Sequence, residues 1–207
     1  MKKLLTAIFA GTALLCSTTP AAAQEVINFD TLVDGNVVTN QFAGLGVTFS
    51  AEAGSQVIVT TQNLGSSLPN FICSGVSGSI NCTDDIFIDF AAAISGLTFL
   101  SIGANNVGDV GDVRVFANAL LLGTVDITAN GTPSSPDLVD LSAFSGITRI
   151  EIVNITDAAG IGLDDFRFTL SSAVPEPSTW AMMLLGFGGM GVALRRRRKL
   201  PTITQLA

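Results

Sequence analysis

Between residues 26 and 170 the apolar side chains recur at every second position, and no stretch sustains the spacing of a helix. This alternation limits the fold more than any other feature, because a two-residue period buries one face of a strand and no helix. It runs through residues 26–29, 46–49, 56–61, 86–90, 97–102, 113–117, 121–127, 147–153 and 162–170. Gly, Asn, Asp, Ser and Pro collect in the intervals, and Asn118-Ala119 marks a turn between two adjacent runs. Ala91-Ala92-Ala93 is expected to form one helical turn. About nine short strands within 150 residues predict an all-β fold, an antiparallel β-sandwich of jelly-roll form.

Both ends of the chain have a different character. Lys2 and Lys3 precede an apolar run over residues 4–16, and Ala21-Ala22-Ala23 supplies small residues before Gln24. This pattern predicts a signal peptide over residues 1–23, removed by signal peptidase. Leu15 is too bulky to precede a lipidated Cys16. Residues 174–199 read V-P-E-P-S-T-W-A-M-M-L-L-G-F-G-G-M-G-V-A-L-R-R-R-R-K. Residues 180–194 carry no charge, and five cations follow. Fifteen residues are short for a bilayer. With Ser178 and Thr179 extending the run and the arginines snorkelling, a single C-terminal transmembrane helix is expected. The expected domains are thus 1–23, a sandwich over 24–172, a linker and sorting segment over 173–199, and a cytoplasmic tail over 200–207.

Pro175, Glu176 and Pro177, then the apolar run beginning at Trp180, then Arg195, Arg196, Arg197 and Arg198, stand in a fixed order. The segment resembles the sorting signal of bacterial PEP-CTERM proteins. The resemblance implies an exosortase-type membrane processing enzyme as partner, cleavage near Pro-Glu-Pro, and delivery across the inner membrane to the cell surface or extracellular matrix. The body, through Asn28-Phe29-Asp30, residues 42–49 and residues 162–168, loosely resembles secreted jelly-roll bodies shaped like carbohydrate-binding modules. That likeness implies a structural calcium joining the first and last strands, with Asp30 and Asp165 as ligands and Asp164 as the alternate.

Sixteen acids and three arginines give residues 24–173 a net charge of −13. Such a surface repels nucleic acid. The chain has no histidine and no tyrosine, which removes Ser-His-Asp and Cys-His catalysis and histidine-bound zinc. Asp164 and Asp165 are neighbours in a strand and point to opposite faces, so a glycosidase pair would need a distant acid such as Asp30 or Asp89. The loop carrying Asn105, Asn106, Asp109 and Asp112 offers oxygens to a cation, or is a plain turn. Cys73 and Cys82 are expected to form a disulfide pinning a surface excursion between Gln62 and Asp84. The body lacks tryptophan, so Phe42, Phe71 and Phe144 are its least constrained aromatics.

These features predict an exported, non-catalytic surface or matrix protein. The alternative is a calcium-assisted module binding an extracellular polysaccharide, and a carboxylate-dependent glycoside hydrolase ranks below it.

Overall fold

A computed structural model describes residues 23–62, 64, 69–76, 79–170 and 177–197. The signal-peptide segment 1–22, and Pro175, Glu176 and Arg198 of the sorting segment, lie outside the described residues. The chain divides into a body within residues 22–174 and a second unit that contains the C-terminal helix, and each is described by itself.

The body contains eleven described strands: β1 (Gln24–Ile27), β2 (Val47–Ala51), β3 (Gln56–Thr61), β4 (Asn70–Val76), β5 (Ser79–Ile80), β6 (Ile86–Ile102), β7 (Val107–Ala117), β8 (Leu120–Asn130), β9 (Asp137–Asp140), β10 (Ser145–Val153) and β11 (Gly162–Leu170). All ladders between them are antiparallel. The expected antiparallel β-sandwich is present.

The alternating runs at 86–90 and 97–102 belong to one 17-residue strand, β6. Its first arm lies between β2 and β10, in the order β2-β6-β10-β7-β8. Its second arm lies between β9 and β11, in the order β9-β6-β11-β4-β3. β1 continues the edge of β11 beyond β4. The exchange happens at Ile94, paired with both Ile147 and Leu170, and at Ser95, paired with both Ser145 and Thr169. Gly96 follows with φ 64°, a left-handed conformation that a Cβ would oppose. The β6 ladders with β10 and β11 both shift register nearby, as expected where a strand bends.

Ala91–Ala93 therefore lie inside a strand and do not form the expected helical turn. Alanine's slight preference for the helix is overridden here, because the ladders on either side of β6 impose the strand. β4 and β9 were also absent from the alternating pattern. Asn70–Val76 is buried at six of its seven positions, so both faces are covered and no polar alternation survives. Asp137–Asp140 has only four residues to carry a pattern. Residues 70–76 are thus an inner strand of the second sheet, where a surface excursion was expected.

Aromatic rings close the core between the sheets. Phe166 stacks on Phe99 at 5.0 Å and meets Phe29 and Phe49 edge-on at 6.2 and 6.0 Å. Phe90 meets Phe168 at 5.5 Å. Each buried phenylalanine contributes about 1.5–3 kcal/mol of burial energy.

The C-terminal helix α1 spans Pro177–Arg197. The expected transmembrane helix is not found. Among the described residues no helix is long and apolar enough to cross a membrane. The uncharged run of fifteen residues covers only about 22 Å at 1.5 Å per residue, against a hydrocarbon core of about 30 Å. Four of those fifteen are Gly186, Gly188, Gly189 and Gly191, which lower its hydropathy further. Ser178, Thr179 and the arginines do not make up the difference.

Candidate functional site

The sorting segment enters α1 at Pro177, which suits a first helical position because its missing N–H has no partner there to lose. Arg195 is exposed near the other end. The described apolar side chains between them, including Met182, Leu184, Leu185, Phe187 and Met190, are more than half exposed. This element therefore offers an apolar surface that ends in a cationic cluster.

In the body, three carboxylates come together away from Asp30, Asp165 and the alternate Asp164. Asp109, Asp112 and Asp126 place one oxygen each within 4.8 Å of the others, so that all three can reach one cation. Among the described residues Asp30, Asp164 and Asp165 form no such group. Asp30 instead accepts the backbone N–H of Asn70 at 3.3 Å, beside the turn that Asn70 ties by donating to the carbonyls of Phe29 and Leu32. Asp164 is buried, and its Oδ1 accepts the N–H of Asp165 at 2.7 Å. Asp165 has φ 50° at the bulge in β11 and lies 3.8 Å from Arg167.

Hairpin register builds the Asp109–Asp112–Asp126 group. β7 and β8 turn at Asn118, whose φ is 54°, and Asp112 falls directly opposite Asp126. A shift between Asp109 and Gly111 brings Asp109 towards them. Asn154 donates to Asp112 at 2.6 Å, and the N–H of Gly111 donates to Asp109 at 3.2 Å. Like charges directly opposite one another destabilise a sheet, and a cation would relieve that repulsion. Asp109 and Asp112 were read as a loop but lie in β7, where the ladder with β8 holds them, and Asp126 was read only as one residue of a strand. Counting register back from the Asn118-Ala119 turn was the signal that could have found it.

Asp89, one of the acids that a glycosidase pair would have needed, is already engaged. Arg149 lies opposite it on β10 and donates to both of its oxygens at 2.9 and 3.0 Å. The same guanidinium bonds Glu151 at 2.9 Å and sits 4.9 Å above the Phe87 ring. Burial alone would lower the Arg149 pKa, but the hydrogen bonds and charges of Glu151 and Asp89 outweigh it and raise it.

Cys73 and Cys82 form a disulfide with a Cα–Cα distance of 4.8 Å. It ties inner strand β4 to the segment after β5. A cavity of about 480 Å³ adjoins it, lined in part by Gln62, Phe71, Asn81, Cys82, Asn105 and Gly162. Asp157, buried nearby, holds the loops of this end together. One oxygen accepts the N–H groups of Asn105 and Asn106 at 2.9 and 2.8 Å, and the other accepts that of Ala159 at 2.8 Å. Among the described residues no charged side chain lines the cavity. Its aromatic contribution is the edge of buried Phe71. Phe42 packs on Phe29 and Phe49, and Phe144 lies against Gly123. The three least constrained phenylalanines therefore form no exposed stacking platform.

Among solved structures, the chain is similar to the K2 cleaved adhesin domain of Lys-gingipain, with 16% identity over 72% of this chain and 100% of that one, at a TM-score of 0.45. It is similar to the K1 cleaved adhesin domain of Lys-gingipain from Porphyromonas gingivalis W83, with 15% identity over 72% and 99%, at 0.37. A family 35 carbohydrate binding module from Clostridium thermocellum aligns with 13% identity over 61% and 98%, at 0.35. No curated protein matches the chain. Residues 173–198 match the family described as the PEP-CTERM protein-sorting motif. The ordered Pro-Glu-Pro, apolar helix and arginine cluster is therefore a PEP-CTERM sorting signal, carried here behind a β-sandwich body.

Proposed function

We propose that this chain is an exported, non-catalytic protein of the cell surface or extracellular matrix, delivered through its C-terminal signal. The match of residues 173–198 to the PEP-CTERM sorting motif carries this reading. The motif implies handling by an exosortase-type system. On this proposal signal peptidase removes residues 1–23, and the processing enzyme cuts near Pro175–Pro177 after export across a bacterial inner membrane. The non-catalytic assignment rests on the chain's own chemistry, since it has no histidine or tyrosine and Asp89 is held by Arg149.

The test is the mass of the exported protein. The mature form should begin at Gln24 and end between Val174 and Pro177, without the peptide containing Trp180. Exported protein that keeps Trp180 would overturn the processing step.

Asp109, Asp112 and Asp126 support a further role for a bound cation in the body. An all-oxygen set of carboxylates suits calcium, a hard cation that tolerates irregular geometry.

A further inference from the structure

We propose that β8 pairs with the β8 of a second copy, antiparallel about a two-fold axis at Val125, and so joins two bodies into one continuous sheet. The proposal starts from how the edges of the sandwich are treated. Along β3, the segment 35–38 covers the outer side: Gly35 donates to Val59, Val59 to Asn36, and Val38 to Val57, all within 2.9 Å. Beside β2, the carbonyl of Thr39 accepts the N–H of Phe49 at 2.8 Å. β9 is four residues long with an aspartate at each end. These are the usual ways of blunting an edge. Among the described residues no segment covers the outer side of β8, and its bulge at Leu122 leaves residues 123–130 without a further extra residue. It runs eleven residues, pairs with β7 alone among the described strands, and contains no proline, lysine or arginine. Its one charge is Asp126.

A bare edge accepts any strand, so the occupant has to be argued from the sequence of β8 itself. Two-fold pairing at Val125 sets residue n opposite residue 250 − n. Asp126 then faces Thr124 of the other copy, twice, so that a hydroxyl donor meets a carboxylate acceptor at both places. Val125 faces itself and Gly123 faces Ile127. A parallel in-register pair would put Asp126 beside Asp126, and so would an antiparallel pair centred on residue 126. The arrangement at Val125 avoids both costs. Its symmetry is closed, so it gives a dimer and not a fibre. The body's charge of −13 opposes association, so pairing strengthens as salt screens that repulsion.

The test uses the exported chain at about 0.15 M salt, where the Debye length is about 8 Å. Val125→Cys is treated with a short bismaleimide cross-linker. Thr128→Cys is the control, because two such positions would lie about 20 Å apart along the paired strands. Covalent dimer from Val125→Cys is expected at least tenfold above the control. Adding Thr124→Glu, which faces Asp126 with a second negative charge, should reduce it about tenfold. Adding Asp126→Lys as well should restore it, a rescue that misfolding would not produce. No dimer, equal dimer from both cysteine positions, or indifference to Thr124→Glu would each overturn the proposal.

Discussion

The carboxylate of Asp157 accepts the backbone N–H of Asn105 across 52 residues of chain, at 2.9 Å. The same oxygen takes the N–H of Asn106, so one buried side chain fixes the end of the β6–β7 connection from the loop that precedes β11. Hydrogen bonds to a charged group are worth about 1.5–3 kcal/mol each, and buried donors left unpaired add to the loss. Asp157→Ala is expected to destabilise the protein by about 3 kcal/mol, read as a lower urea midpoint with unchanged slope. Asp157→Asn, which keeps an acceptor oxygen but loses the charge, should fall between the two.

Reduction of the Cys73–Cys82 bridge gives a second measurable loss. The chain-entropy relation for a loop of about ten residues gives about 2.7 kcal/mol. A comparable fall is expected for Cys73→Ala with Cys82→Ala, measured against the oxidised protein. A bridge on an unpaired excursion would leave the strands untouched. Here the loss should extend to amide-exchange protection of β4, whose residue Ile72 pairs with both β3 and β11.

The acid limb of stability depends on two aspartates with opposite signs. Burial raises the pKa of Asp85, against the opposing backbone hydrogen bond from Asn154 and the charge of Arg114. The native state therefore holds this proton more tightly than the unfolded chain. Its contribution to stability declines as pH rises from 3.8 through the raised native value. Asp140 is lowered, first by the Ser142 hydroxyl and then by the Ser142 N–H. Its contribution is present above 3.8 and is lost as pH falls through the native value. Unfolding free energy measured from about pH 3 to 6 should gain at the upper end in Asp85→Asn. In Ser142→Ala it should lose there instead.

Calcium should raise the thermal midpoint. At about ten times its dissociation constant a single ion adds about 1.4 kcal/mol, or about 3–5 °C for a body of this size. Asp112→Asn should remove the calcium response, while raising the midpoint without calcium by relieving repulsion against Asp126. A midpoint indifferent to both calcium and chelator would exclude the ion.

The sequence was legible where one face of a strand is wet. Ile86, Ile88 and Phe90 alternate with partly exposed neighbours, and the strand is where the pattern predicts it. β4 was illegible for the opposite reason. Its two faces are both covered, so Phe71, Ile72, Cys73 and Ser74 give a run without a period. Ala91–Ala93 misled because alanine favours the helix slightly, and only the partners on either side of β6 decide the outcome. Asp112 and Asp126 lie fourteen residues apart in the sequence and meet through hairpin register, which composition does not display. The sorting signal needed no tertiary information, since its order along the chain is its content. The expected bilayer span failed because the arginines end the apolar run at fifteen residues and its glycines lower the hydropathy.

β1 and β11 run antiparallel, with Gln24 beside Thr169, so the body's two ends leave from the same pole. Gly162, at the other end of β11, lines the cavity beside the disulfide. Seven residue steps of strand separate Gly162 from Thr169, about 23 Å. A body held through its C-terminus displays its disulfide-braced loops at the far pole, clear of the point of attachment. Sequence changes in the loops around Asn81, Asn105 and Ala159 alter that far pole and leave the sorting signal untouched.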